Sequence, residues 1–79
     1  MFELNNEELN ILKVVRELND SGKKSDYYAV IEKANADTAR SIPIVSRLDN
    51  DGYVFSNGLV YRYLHITEKG RKTLKERGL

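Results

Sequence analysis

Arg40, Ser46, Arg47 and Asn50 are the side chains of this chain best suited to specific chemistry, and their spacing brings them together. Stepped at about 100° per residue along a helix, they gather with Pro43 on one side of "DTARSIPIVSRLDNDG", residues 37–52. Ser41, Ile44, Val45 and Leu48 gather on the opposite, apolar side. A solvent face usually favours Lys and Glu, so two guanidiniums, an amide and a hydroxyl form an unusual stripe. A second cluster is of another kind. Arg62, Lys69, Arg71, Lys72, Lys75 and Arg77 crowd residues 61–79 against Glu68 and Glu76. Such a basic end suits an anionic partner, although a solvated, soluble helix face has the same composition.

Other chemistries find no residues to work with. There is no cysteine, which excludes disulfides and thiolate metal sites. A single histidine, His65, excludes the usual His-cluster metal sites. No Gly-rich phosphate loop and no paired carboxylates in a cleft can be traced; Asp49 and Asp51 are helix-end residues beside Gly52. An enzyme is not expected, nor a cofactor. No small-molecule ligand is expected either, because so small a core leaves no room for an effector domain.

The chain has 79 residues and a net charge of +1, and residues 1–79 read as one domain. At this size folding buries roughly 60–65% of the surface the unfolded chain exposes. The charge is uneven: residues 1–20 carry five acids against Lys13 and Arg16, and residues 21–60 balance. Apolar runs reach about four residues, far short of the ~20 that a membrane helix needs. Glu3, Glu7 and Glu8 stand where the apolar stretch of a signal peptide would begin. A soluble, cytoplasmic protein without membrane contact is expected.

The elements that must position these side chains follow from capping and periodicity. "LNNEEL", residues 4–9, offers Asn5 as cap, Glu8 reaching back to it, and Leu4 and Leu9 at the staple positions. Ile11, Val14, Val15 and Leu18 repeat at helical spacing, Leu9 and Leu12 widen the stripe, and "NDSG" at 19–22 ends the helix. Lys23 and Lys24 suit a brief extended segment. A second helix covers 25–34, with Ser25 as cap and Tyr27, Val30, Ile31 and Ala34 on one face. The third is capped by Asp37 or Thr38 and stopped by Gly52. Pro43 demands either a later start, with Ser41 as cap, or a kink.

Tyr53 to Phe55 and Leu59 to Ile66 favour strands, and Asn57-Gly58 is a two-residue hairpin signal. That turn needs positive φ at both residues and sets Phe55 opposite Val60 and Val54 opposite Tyr61. Tyr61 and Tyr63 read as strand packing residues. Thr67 caps a last helix, "EKGRKTLKERG", which has Leu74 as its one clear apolar anchor and is expected to lie outside the core. The expected core is Ile11, Val15, Leu18, Val30, Ile31, Val45, Leu48, Val54 and Ile66. The order is α+β: three helices with a helix-turn-helix pair, a hairpin, and a short final helix.

"VSRLDNDGYV", a hairpin and "LHITEKGRKTL" together resemble the winged helix-turn-helix domains of prokaryotic transcription regulators of the MarR and PadR kind. Leu48, Gly52, Tyr53, Val54, Ile66, Thr67 and Gly70 fall on that pattern. The tip "FSNGLV" lacks the basic residues that the family's wing commonly carries, and Pro43 stands where the family rarely has proline. The resemblance implies a small regulator, from a bacterium, archaeon or mobile element, that binds double-stranded DNA sequence-specifically with its third helix in the major groove. Arg40 and Arg47 would then read guanine, Asn50 adenine, and Ser46 either, with Ile42 or Pro43 against a thymine methyl. Backbone and wing contacts would fall to Lys24, Thr38, Asn57, Arg62, Arg71 and Lys72. Regulators of this type usually bind as homodimers, and Phe2, Leu4, Leu9 and Leu12 offer an apolar strip for pairing. The alternative is a winged helix used as a protein-protein interaction module without direct DNA reading, docking through the acidic first helix.

Overall fold

The computed structural model describes residues 4–58 and 62–79. In chain order these form α1 (Asn6–Asp20), α2 (Tyr27–Ala34), α3 (Thr38–Asn50), β1 (Val54–Asn57), β2 (Tyr63–Ile66) and α4 (Glu68–Glu76). This is the expected α+β order.

α1 begins as its sequence requires. The Asn5 side chain accepts from Glu8 N–H at 2.8 Å, and the Glu8 carboxylate accepts from Asn5 N–H at 2.9 Å. Leu4 and Leu9 are both buried beside this cap. The apolar stripe of α1 forms the floor of the core, where Leu12 and Val15 have no exposure. Leu4, Leu9 and Leu12 are therefore occupied inside the molecule, which removes them as a pairing strip; Phe2 lies outside the described residues.

α2 differs from expectation at its start. Asp26 is the cap residue, without a side-chain hydrogen bond. The Ser25 hydroxyl is buried and donates to the Leu64 carbonyl at 2.7 Å, because strand β2 runs beside it. An isolated antiparallel bridge joins Asp26 to Tyr63, so the extended segment reaches past Lys24 and touches the two-stranded ribbon without forming a strand of its own. Asn35, left-handed at φ 54°, then turns the chain tightly into α3.

α3 starts at Thr38, with Asp37 as cap accepting from Arg40 N–H at 3.0 Å. Pro43 sits inside the helix, neither before it nor at its start. Its missing N–H would have met the carbonyl of Ala39, an exposed residue that water can satisfy. Ser41 and Leu48 are buried, and Ile44 and Val45 pack half-buried against the core.

The hairpin register is corrected. Val54 lies opposite Ile66, Phe55 opposite His65, Ser56 opposite Leu64 and Asn57 opposite Tyr63. Val60 and Tyr61, the expected partners, lie outside the described residues. The physical reason is parity, since cross-strand partners share a face. Setting Val54 opposite Tyr61 would have turned Leu64 and Ile66 away from Val54 and out of the core. In the observed register Val54, Leu64 and Ile66 share the inner face, and Leu64 is 1% exposed. Asn57 thus belongs to the strand, and of the two turn residues Gly58 alone has a positive φ, 110°.

The last helix is also more central than expected. Leu74 has no exposure, and α4 packs against α1, closing the core. Gly70 makes this approach possible. A Cβ there would lie 2.3 Å from the Tyr53 carbonyl oxygen and 2.8 Å from Ile66 Cγ1. Thr67 caps the helix by accepting from Gly70 N–H at 3.1 Å, and its hydroxyl donates to the Gly52 carbonyl at 2.6 Å. The Thr-x-x-Gly signature is thus a cap followed by a close-packing point.

Candidate nucleic-acid interface

α3 divides into a crest and two flanks. Ser41 and Leu48 point into the core, so the crest opposite them carries Ala39, Pro43, Ser46 and Asn50, all exposed. Ile42, 55% exposed, lies on the flank facing the ribbon, and Arg40 and Arg47 lie on the flank facing α1.

Both arginines meet acids from the first turn of α1. Arg40 Nη2 is 2.6 Å from Glu7 Oε1, in a pair exposed on both sides. Arg47 Nη1 is 3.4 Å from Glu8 Oε2, and that carboxylate is 3% exposed. The exposed pair contributes little, up to about 1 kcal/mol. The second is different, because moving Arg47 away uncovers a charge that water does not reach.

On the ribbon side, Tyr27, Ile42, Ser46, Ser56 and Arg62 line a cleft of about 200 Å³ between α3 and the strands. Ser56 donates to Asp49 Oδ2 at 2.6 Å, which fixes the ribbon against α3 and satisfies that carboxylate. Tyr27 donates to the Thr38 carbonyl at 3.1 Å. Burial, then Tyr28 and Asp37, push its phenol above the ordinary range.

On the other side, Pro43, Ser46, Arg47 and Asn50 border a shallow depression closed by Tyr53 and Lys69. Lys69 Nζ donates to the Asp51 carbonyl at 2.7 Å and lies 4.6 Å from the Tyr53 ring centre. In the sequence Lys69 stands within the basic cluster of residues 61–79 and is not singled out for a backbone contact. Its signal was position: a lysine in the first turn of a helix opposes the dipole, so another contact must hold it there.

Of the remaining candidates, Thr38 opens α3 and is exposed, and Arg62 is exposed beside the ribbon end of the cleft. Lys24 lies on the outer side of the ribbon near His65, and Asn57 Oδ1 is 3.3 Å from His65 Nε2. Arg71 faces away from α3. It makes two hydrogen bonds to Asp20, at 2.7 and 3.2 Å, which hold the Asp20 carboxyl below the usual range and raise Arg71 in turn. Lys72 is exposed on α4, about one turn beyond Lys69. Tyr63 is half-buried; Tyr61 lies outside the described residues. The structure therefore brings Ser46, Asn50, Arg62 and Thr38 to α3 and its margins, ties Arg40 and Arg47 to α1, and separates Lys24, Asn57 and Arg71 from the crest.

Among the described residues no group of three or more His, Cys, Asp or Glu could hold a metal ion, and no helix is long and apolar enough to cross a membrane.

No protein-family model and no curated protein matches the chain. Solved structures do. The chain is similar to AF1382 from Archaeoglobus fulgidus, with a TM-score of 0.82 and 16% identity over 95% of this chain and 84% of that one. It is also similar to ZitR from Lactococcus lactis, a zinc-responsive MarR family member. That match has a TM-score of 0.76 and 16% identity, over 98% of this chain and 53% of the other. The fold is the winged helix.

Proposed function

We propose that this winged-helix chain binds duplex DNA sequence-specifically, with α3 in the major groove, and serves as a small prokaryotic transcription regulator. One observation carries the reading: the α3 crest stands between two cationic shoulders, Arg62 on the ribbon side and Lys69 on the α4 side. A helix that enters a major groove meets a phosphate backbone on each side, and a cation on either flank meets that need. The resemblance to regulators that bind as homodimers extends the proposal to two copies on inverted half-sites.

The test is a duplex titration across salt concentrations, after selection of bound sequences from a random pool. Binding should weaken with salt, with a log–log slope near −0.9 per phosphate contact. Arg62→Ala and Lys69→Ala should each reduce that slope by roughly one unit and weaken all sequences alike. Absence of salt-dependent binding to any duplex would reverse the conclusion. The interaction-module reading would then lead, supported by the acids that compensate Arg40 and Arg47 and by Tyr28 and Phe55, 65% and 56% exposed.

A further inference from the structure

We infer that α3 reads A·T pairs, with Ile42 and Pro43 against thymine methyl groups and Asn50 on an adenine edge. The inference rests on the duplex-DNA reading above and adds the base composition of the site.

The groups on α3 suit what A·T pairs present in the major groove. Guanine shows two acceptors, O6 and N7, and its usual reader is a cationic fork of donors. The two side chains with such forks on α3 lie on the α1 flank, Arg40 in an exposed pair with Glu7 at 2.6 Å that holds it only weakly and Arg47 against the buried carboxylate of Glu8 at 3.4 Å, which holds it firmly. Extending Arg47 into a groove would strip that buried oxygen of its cation. Adenine shows an acceptor beside a donor, N7 and N6–H, which an asparagine amide complements with both its atoms. Asn50 is exposed on the crest. Thymine adds a methyl group, and Ile42 and Pro43 are both exposed and apolar. Two adjacent apolar side chains on a water-facing helix surface, one of them a proline that forfeits a helical hydrogen bond, are poor solvent chemistry and good methyl-binding chemistry. Ser46 bonds to any base and sets no composition.

The experiment starts with selection of bound duplexes from a random pool. The selected core should be rich in A·T pairs. Replacing its thymines by deoxyuridine removes only the methyl groups and should weaken binding about four-fold per contacted methyl, the factor for one buried carbon. Ile42→Ser should erase that difference between thymine and uracil while the fold, monitored by circular dichroism, is unchanged. Asn50→Ala should relax the adenine preference at one position by roughly ten-fold. Glu7→Gln, which releases Arg40, should let guanine into the flanking position. A selected core of G·C pairs whose preference disappears in Arg40→Ala or Arg47→Ala overturns the inference, as does equal affinity for thymine and uracil duplexes. Both outcomes leave duplex binding intact. No selection of any duplex defeats the DNA reading itself, and this inference with it.

Discussion

The Glu8 carboxylate joins the cap of α1 to the facing flank of α3: Oε1 accepts from Asn5 N–H at 2.9 Å, and Oε2 lies 3.4 Å from Arg47 Nη1. With the carboxylate 3% exposed and the arginine 48% exposed, the pair has one buried and one wet member. Arg47→Ala should therefore destabilise the free protein by about 1–3 kcal/mol, the cost of leaving a buried polar group short of its partner. Adding Glu8→Gln should recover most of that loss, because glutamine keeps the capping bond and carries no charge. A double-mutant cycle of urea midpoints measures this coupling. Additive losses would show that the two side chains do not interact.

Leu48→Ala should cost about 2–5 kcal/mol, a large share of the stability of so small a domain. Leu48 is 1% exposed in the centre of the core face of α3. Denaturant melts check it, and a loss below about 1 kcal/mol would mean the cavity collapses freely.

Gly70→Ala should destabilise the fold although alanine is the better helix former. The propensity gain is about 1 kcal/mol. Against it stands a Cβ placed 2.3 Å from the Tyr53 carbonyl oxygen and 3.2 Å from Leu12 Cδ1, and the former, being backbone, cannot swing aside. Overpacking of this kind costs about 1–3 kcal/mol or more. A variant as stable as the parent in thermal melts would show that α4 can lift from the ribbon without loss.

Acid should release the tie between α1 and α4. The hydrogen bonds from Arg71 lower the Asp20 carboxyl below its ordinary value. A depressed folded-state value contributes stability above the unfolded value, near pH 4, and loses it as pH falls through the folded value. Arg71→Gln should therefore lower stability slightly at neutral pH, leave it unchanged in strong acid, and so flatten the dependence of stability on pH below about 4. Both groups are solvent-facing, so high salt should have the same effect. An acid limb identical in the variant would remove Asp20 as its source.

The helices were legible because their signals are local. Asn5 and Glu8 cap α1, Asp37 caps α3, and apolar spacing sets the inward faces. Seven of the expected core residues are buried, and Val45 and Ile66 pack against them. What escaped was decided at long range. The Asn57-Gly58 signal favoured a tight turn, but burial of Leu64 and Ile66 fixed the opposite parity. Ser25 has the chemistry of a cap, yet its hydroxyl is claimed by Leu64. The stripe on α3 was read correctly as exposed, whereas the retreat of its arginines depends on acids in another helix, distant in sequence. A single leucine gave no warning that α4 closes the core.

Asn19, near the end of α1, donates to the Leu64 carbonyl at 3.1 Å and accepts from Ile66 N–H at 2.7 Å. One amide side chain thus does for β2 what a neighbouring strand would do, and with both its atoms engaged it has one workable orientation. The consequence is kinetic. The Ile66 amide proton is held by a side chain of the longest helix, so its exchange waits on the Asn19 amide letting go as well as on the hairpin opening. Asn19→Ala should shorten the exchange lifetime of Ile66 toward that of a free hairpin and let the ribbon breathe on its own.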